Sequence, residues 1–217
     1  MRILAVDTAL GACSVALLQD QDILAHIFEP MERGHAERLA PMVEEAMTGV
    51  DFSSLDRLAV TIGPGTFTGQ RVGLAFMRGL RLALRLPLTG VTSLEVMAAA
   101  AQAETSLLKA ACIHDARRDE AYLLLRQNET VELSPVVLPF QQAVEQIRAF
   151  GPCVVAGTGA QPSREALGKD FTLSAVRQPD ALWVARLATR RPVSPDAPGP
   201  LYLRAPDAKL PGGKALV

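Results

Sequence analysis

The order of short strands and helices at the start of the chain constrains the fold most strongly. Three apolar segments, 2–7, 13–18 and 22–28, are separated by turn residues, and this pattern predicts three strands. Their connections are too short for a crossover, so we expect neighbouring strands to be antiparallel. The chain therefore begins with a β-meander.

Helices and strands alternate after this meander. Apolar residues between positions 35 and 48 recur at the spacing of an amphipathic helix, which Pro41 is expected to kink or to deprive of one hydrogen bond. The other elements predicted in this half are a strand over 57–62, a helix from a glycine loop to Leu86, a strand over 88–91 and a helix over 93–103 with Ser93 as its N-cap.

A weaker version of the same order follows. The predicted elements are strands over 109–115, 121–127, 130–133 and 152–156, and helices over 140–149 and 180–190. From Pro192 the chain carries six prolines and Gly-Gly at 212–213, which indicates an irregular tail. A βββαβα unit followed by a reduced copy predicts an α/β fold of the actin-like (ASKHA, ribonuclease H-like) type. The predicted lobes are 1–104 and 105–217, and the second includes the proline-rich tail.

Composition excludes several classes of protein. The formal net charge of −1 and the pI near 6.3 lack the basic signature of a protein that binds nucleic acid by itself. The three cysteines, Cys13, Cys112 and Cys153, are far apart in apolar segments, which predicts core thiols in a reducing compartment. The sequence shows no signal peptide and no apolar run of membrane-spanning length, so we expect a cytoplasmic protein.

The segment GPGTFTGQRVG, residues 63–73, has the composition of a loop that could bind a phosphate. Its glycines permit positive φ, a threonine can cap the following helix, and N–H groups at a helix start attract anions. It matches neither the Walker A spacing nor the dinucleotide fingerprint, so a tight turn without a ligand stays open. The candidate anion or nucleotide contacts are Asp7, Thr8, Gly63, Gly65, Thr66, Thr68 and Gly69.

The helix after this loop is almost entirely apolar. From Arg71 to Leu86 its polar residues are four arginines at spacings of 7, 3 and 4, which lie on one narrow stripe. A helix at the surface of a monomer is expected to be more polar, so this one is either buried inside one domain or packed against a partner protein. We predict a partner interface that also includes the helix over 35–48. The candidate residues are Leu39, Met42, Val43, Met47, Val72, Ala75, Phe76, Gly79, Leu80 and Ala83.

Five segments occur in an order that resembles the bacterial TsaB family, formerly called YeaZ: ILAVDTALGACSVALL, HAERLAPMVEEAM, GPGTFTGQRVGLAFMRGL, DARRDEAY and PLYLR. The resemblance implies an actin-like fold and a role in forming N6-threonylcarbamoyladenosine in tRNAs that read codons beginning with A. It also implies that the chemistry belongs to the catalytic subunit TsaD. The TsaB subunit would pair with TsaD, work with the ATPase TsaE, meet tRNA only through the complex, and form homodimers through the same helices.

The residues of this chain agree with a non-catalytic role. The metal of TsaD is held by an H-x-x-x-H pair, whereas here His35 is followed four residues later by Leu39, so we predict no metal site and an exposed His35. His26 and His114 are expected to be packing or surface residues. We predict no cofactor of its own for the chain, and ATP or ADP at an interface shared with its partners stays open.

The sequence leaves three alternatives open. The first concerns Arg117 and Arg118, which either contact a partner or tRNA, or form a charged hairpin turn. The second is a glycoprotease-like peptidase, although neither an H-E-x-x-H motif nor a nucleophile–base pair is visible in the sequence. The third is a self-sufficient actin-like ATPase, for which Asp7 and the glycines of AGTGA at 156–160 are weak indications.

Overall fold

The computed structural model describes residues 1–204, which contain two five-stranded sheets with the same topology. In the first sheet the spatial order is β3-β2-β1-β4-β5, where β1–β2–β3 are antiparallel and β1, β4 and β5 are parallel. Its strands are β1 (Arg2–Asp7), β2 (Ala12–Gln19), β3 (Asp22–Pro30), β4 (Arg57–Thr61) and β5 (Leu88–Val91).

A helix follows each of the strands β3, β4 and β5. A short 3-10 turn at Phe52–Ser54 precedes β4. The helices are α1 (His35–Ala46), α2 (Phe67–Leu84) and α3 (Ser93–Thr105). Pro41 lies inside α1 without interrupting it, and the N-cap of α3 is Thr92, one residue before the predicted cap, because its hydroxyl accepts the N–H of Glu95.

The second sheet repeats the first in the order β8-β7-β6-β9-β10, again with an antiparallel meander and parallel crossovers. Its elements are β6 (Lys109–Arg117), β7 (Glu120–Gln127), β8 (Thr130–Pro139), α4 (Phe140–Phe150), β9 (Val154–Ala156), α5 (Ala160–Leu167), β10 (Thr172–Leu173) and α6 (Ala181–Thr189). The predicted duplicated actin-like fold with a reduced second copy is confirmed.

The larger differences from the predicted elements lie in the second half. Helix α5 and strand β10 were not predicted, and β8 extends six residues beyond the predicted end at position 133. Strand β8 is an edge strand, where Pro135 does not remove a hydrogen bond from the centre of the sheet.

Side chains on the two faces of β1 belong to two different hydrophobic cores. Leu4 and Val6 face α1 and α2, whereas Ile3 and Ala5 face the helix α6. Helix α3 packs mainly against the second sheet, although it precedes that sheet in sequence. Helix α6 in turn follows the second sheet and packs on the first, so these two helices do not follow the predicted division at residue 104.

The chain returns to the first sheet after α6. Leu201 donates its N–H to the carbonyl of Ile62 at 2.7 Å, which fixes the segment 192–204 beside α2. The rest of the predicted tail, including Gly-Gly at 212–213, lies outside the described residues. No helix within residues 1–204 is both long and apolar enough to cross a membrane.

Candidate functional site

The glycine loop packs directly on the turn between β1 and β2. A Cβ on Gly65 would lie 2.2 Å from the carbonyl oxygen of Ala9, and a Cβ on Gly69 would lie 2.2 Å from that of Thr8. Real Cβ atoms do not approach backbone this closely, so a side chain at either position would displace the loop. The glycines are therefore required by contacts within the chain.

The polar groups of the loop also bind one another. The N–H of Thr66 donates to Ala9 O at 2.8 Å, and the Thr66 hydroxyl caps α2 by accepting the N–H of Gly69 at 3.1 Å. Thr8 donates its hydroxyl to Gly69 O at 2.7 Å and accepts the N–H of Gly73 at 3.0 Å. The structure thus brings these candidate anion contacts together but engages them internally, whereas Thr68 is exposed.

Gly63 and Asp7 complete the set of candidate anion contacts. Gly63 has φ of +101° and would place a Cβ 2.6 Å from the side-chain amide of Gln70. Asp7 is fully buried and accepts hydrogen bonds from Thr61 Oγ1 at 2.5 Å and from Ala9 N at 3.2 Å. Burial raises the pKa of this carboxyl to about 7, so it titrates near neutral pH.

The arginine stripe of α2 faces the chain's own tail. Arg71 donates to the hydroxyl of Tyr202 at 2.8 Å, Arg78 donates to Pro198 O at 2.6 and 3.1 Å, and Arg81 donates to Pro195 O at 2.7 Å. This contact was not predicted from the sequence, although the regular spacing of the arginines is the pattern that indicates it. The tail therefore covers one side of the helix and engages part of each of these three guanidinium groups.

Another side of α2 is exposed and apolar. Ala75, Gly79 and Ala83 recur every four residues and are all exposed, and Leu82 beside them is 74% exposed. A Cβ at Gly79 would meet no atom of the described residues, 1–204, within 4 Å. We call the surface of these four residues the outer face of α2. Small residues at this spacing allow another helix to approach closely.

The structure corrects part of the predicted interface. Leu39, Met42 and Val43 of α1 and its C-cap, Met47, are at most 4% exposed and lie in the core, so they have no surface to offer a partner. The helical spacing of apolar residues in α1 correctly predicted that one face of the helix is buried. It did not show that the chain's own core, rather than a partner, buries that face. Val72, Phe76 and Leu80 are half-buried against the same core, so they offer only part of their surface.

The histidines and cysteines are either buried or paired within the fold. His35 was predicted to be exposed, which is wrong: it is buried, with Nε2 3.0 Å from Leu10 O. His26 is partly exposed and pairs with Asp180 at 2.8 Å. Burial lowers the pKa of His114 to about 4. All three cysteines are buried and free, and burial raises their pKa, which opposes formation of the nucleophilic thiolate.

Arg117 and Arg118 lie in the hairpin between β6 and β7. Both adopt positive φ, as does Asp119, which is uncommon for residues other than glycine or asparagine. The N–H of Arg117 donates to Asp115 Oδ1 at 2.7 Å, and its carbonyl accepts a hydrogen bond from Arg204 at 3.1 Å. The described part of the tail therefore reaches this hairpin as well as α2.

Sequence relatives identify the family to which this arrangement belongs. The tRNA threonylcarbamoyladenosine biosynthesis protein TsaB of Escherichia coli K12 is 35% identical over 232 residues, which cover 98% of this chain and 99% of the relative. The chain belongs to the TsaB (YeaZ) family. Residues 22–148 also match the family described as TsaD: tRNA N6-adenosine threonylcarbamoyltransferase.

Solved structures agree with this assignment. A crystal structure titled as an uncharacterized protein with similarity to peptidase YEAZ from Pseudomonas aeruginosa superimposes with a TM-score of 0.82 at 33% identity, covering 94% of this chain and 99% of that one. The ROK hexokinase of Thermus thermophilus superimposes with a TM-score of 0.52 at 15% identity, covering 86% and 98% of the two chains. This second likeness shows the shared sugar-kinase fold alone.

Proposed function

We propose that the chain is a non-catalytic subunit in the synthesis of N6-threonylcarbamoyladenosine in tRNAs that read codons beginning with A. In this proposal it binds the catalytic subunit TsaD, supports its activity together with the ATPase TsaE, and meets tRNA only through the complex. The relatives named TsaB support the pathway. The outer face of α2 carries the proposal for the mode of action.

The outer face has the properties of a helix-packing interface. Leu82 exposes most of its side chain, and burying a leucine against a partner contributes roughly 1.5–3 kcal/mol. Ala75, Gly79 and Ala83 are small, so a partner helix could lie close to the backbone of α2. Gly79 costs about 1 kcal/mol relative to alanine in a helix interior, and no contact within residues 1–204 requires it. Contact with a partner helix explains its presence.

The same face would serve a homodimer when TsaD is absent, and TsaD would then compete with the second copy. ATP or ADP would need groups from a partner, because the polar groups of Thr8, Thr66 and Gly69 are engaged inside the chain. Arg117 and Arg118 remain proposed contacts for a partner or tRNA on the exposed hairpin.

Charging the outer face tests the proposal. Gly79→Arg and Ala75→Glu place a charge where the isolated chain has open space or solvent, so we expect both variants to fold with unchanged circular dichroism. Burying an unpaired charge in an interface is costly, and we expect TsaD to bind at least 100-fold more weakly. Co-purification and the measured mass of the complex report the result.

The matched control lies on the equivalent helix of the second lobe. Glu165 of α5 is exposed, and Glu165→Arg changes charge without touching the outer face. This variant should bind TsaD like the wild type. Unchanged binding of Gly79→Arg and Ala75→Glu would contradict the interface, whereas loss of binding in the Glu165 variant alone would move it to the second lobe.

A further inference from the structure

A groove between the two lobes has no part in the interface proposed above. It lies between the end of α3, the strand β7 and the helix α6, and its volume is about 590 Å³. Trp183 forms part of its wall, and the guanidinium of Arg186 lies 4.7 Å from the Trp183 ring centre. Arg126 and Arg190 also line it. The groove therefore combines an aromatic wall with three arginines and two acids, Asp20 and Glu129, which pair with the N-terminal amine and with Arg190.

Arg126 is the most unusual of these side chains. It is only 5% exposed, and its described side-chain partner is the neutral oxygen of Gln102, which binds Nη1. Gln102 is held in place because its amide nitrogen donates to Leu108 O at 2.5 Å and to Asn128 O at 3.2 Å. Within residues 1–204, the Nε of Arg126 is buried without a hydrogen-bond partner.

The acids near Arg126 are already paired with other arginines. Glu95 and Glu129 are the carboxylates whose charges favour the protonated Arg126, but Glu95 forms an ion pair with Arg191 and Glu129 forms one with Arg190. Burial lowers the pKa of Arg126, which shows the cost of holding this charge away from water. A buried charge of this kind is normally paired, so the groove has an unmatched positive charge at its wall.

We propose that this groove binds a small molecule that carries a carboxylate or phosphate group beside a flat apolar part. The oxyanion would accept hydrogen bonds from the planar guanidinium of Arg126, with Arg190 adding positive charge at the rim. The apolar part would pack against Trp183 and Leu107, which line the same groove. Such a ligand would connect both lobes, because β7 belongs to the second sheet while α6 packs on the first.

The chain contains a single tryptophan, Trp183, and because it lines this groove its emission should respond to a ligand bound there. The intact protein is titrated with sodium phosphate and, separately, with sodium benzoate, while sodium chloride at matched ionic strength controls for screening. We expect a saturable change in Trp183 emission and a higher thermal midpoint with at least one of the two probes. A response to phosphate alone assigns the phosphate class, and a response to benzoate assigns the carboxylate class.

Variants test whether the Arg126 guanidinium binds the oxyanion of the ligand. Arg126→Gln removes the charge, and we expect the apparent Kd of the responding probe to rise at least tenfold. Arg164→Gln, on the exposed side of α5, is the matched control and should leave the Kd unchanged. If Arg126→Gln does not fold, the exposed Arg190→Gln should still weaken binding severalfold. Responses no larger than that of sodium chloride, or wild-type affinity in every folded groove variant, would overturn the proposal.

Discussion

Helices α2 and α5 occupy the same place in the two lobes, and only α2 has an apolar outer face. Each follows the second parallel strand of its sheet through a glycine turn. Helix α2 has 18 residues and exposes the outer face defined above. Helix α5 has 8 residues, and its exposed positions are Gln161, Pro162, Arg164 and Glu165. Since the fold is satisfied by a short polar helix at this place, it does not require the apolar surface of α2.

The glycine turns of the two lobes are alike in a way that their helices are not. In the first lobe Gly65 and Gly69 pack on the backbone of Thr8 and Ala9, and in the second a Cβ on Gly157 would lie 2.3 Å from Ile113 O. Both turns therefore allow a close approach to the end of a central strand. The glycine turn is therefore a structural feature of both lobes, whereas the outer face of α2 is found in one lobe and needs a functional explanation.

The largest predicted effect is on the pH dependence of stability, to which two buried ionisable groups, one near the end of β1 and one near the end of β6, contribute in opposite directions. The pKa of Asp7 is raised by burial from 3.8 to about 7, so its contribution to stability is complete below pH 3.8 and is lost as the pH rises to 7. This loss amounts to about 4 kcal/mol. Asp7→Asn removes the dependence, so the stability of the variant relative to the wild type should increase by roughly this amount between pH 4 and 7.5.

His114 has the opposite dependence. Burial lowers its pKa from 6.5 to about 4, so its contribution is present above pH 6.5 and falls by about 3 kcal/mol as the pH drops to 4. Urea unfolding of the wild type and of Asp7→Asn across this range measures both slopes. A stability difference between the two proteins that does not change with pH would contradict the buried carboxyl.

The second prediction tests whether the glycine turns are equivalent. Gly69→Ala and Gly157→Ala each place a Cβ against a backbone carbonyl, and Gly157 also has φ of +91°. We expect each to lower the free energy of unfolding by roughly 2–4 kcal/mol. Gly168→Ala is a control for positive φ alone, because it has φ of +84° and open space around it. Equal losses at Gly168 and Gly157 would show that backbone strain, rather than close approach, explains the turn.

The smallest predicted effect separates the two faces of α2. Gly79→Ala meets open space and should raise the free energy of unfolding of the isolated chain by about 0.5–1 kcal/mol. Gly73→Ala should lower it, because the new Cβ would lie 2.7 Å from the Thr8 hydroxyl that binds both Gly69 and Gly73. Thermal unfolding of the two variants measures the difference. A stabilising Gly73→Ala would mean that this hydroxyl does not fix the helix to β1.

The repeated order of strands made the fold predictable from sequence, but not every element carried a signal. Helix α5 has only a short run, AQPSREAL, with few apolar residues and Pro162 inside it, so it shows no clear helical period. Strand β10 has two residues, fewer than any alternation needs. These elements are specified by packing on the second core rather than by their own pattern.

The candidate site was predictable only in part. The spacing of apolar residues along a helix shows that one face of the helix is buried, but it does not show whether the chain's own core or a partner protein buries it. The same spacing marked Leu39 in the core and Ala75 on the surface. The burial of His35 depends on the carbonyl of Leu10, 25 residues away in sequence, and no local pattern indicates it. Contacts between distant segments, such as the tail beside α2, require the folded chain.

Hydrogen exchange on the intact chain, with and without TsaD, tests the central claim most directly. Peptides from α2 (67–84) and α5 (160–167) are compared in the same experiment, so each helix controls for the other. Our account predicts that TsaD slows exchange at least tenfold in α2, most strongly over 75–83, and leaves α5 unchanged. Protection confined to α5, or none in α2 when TsaD is bound, would contradict a partner interface on the outer face.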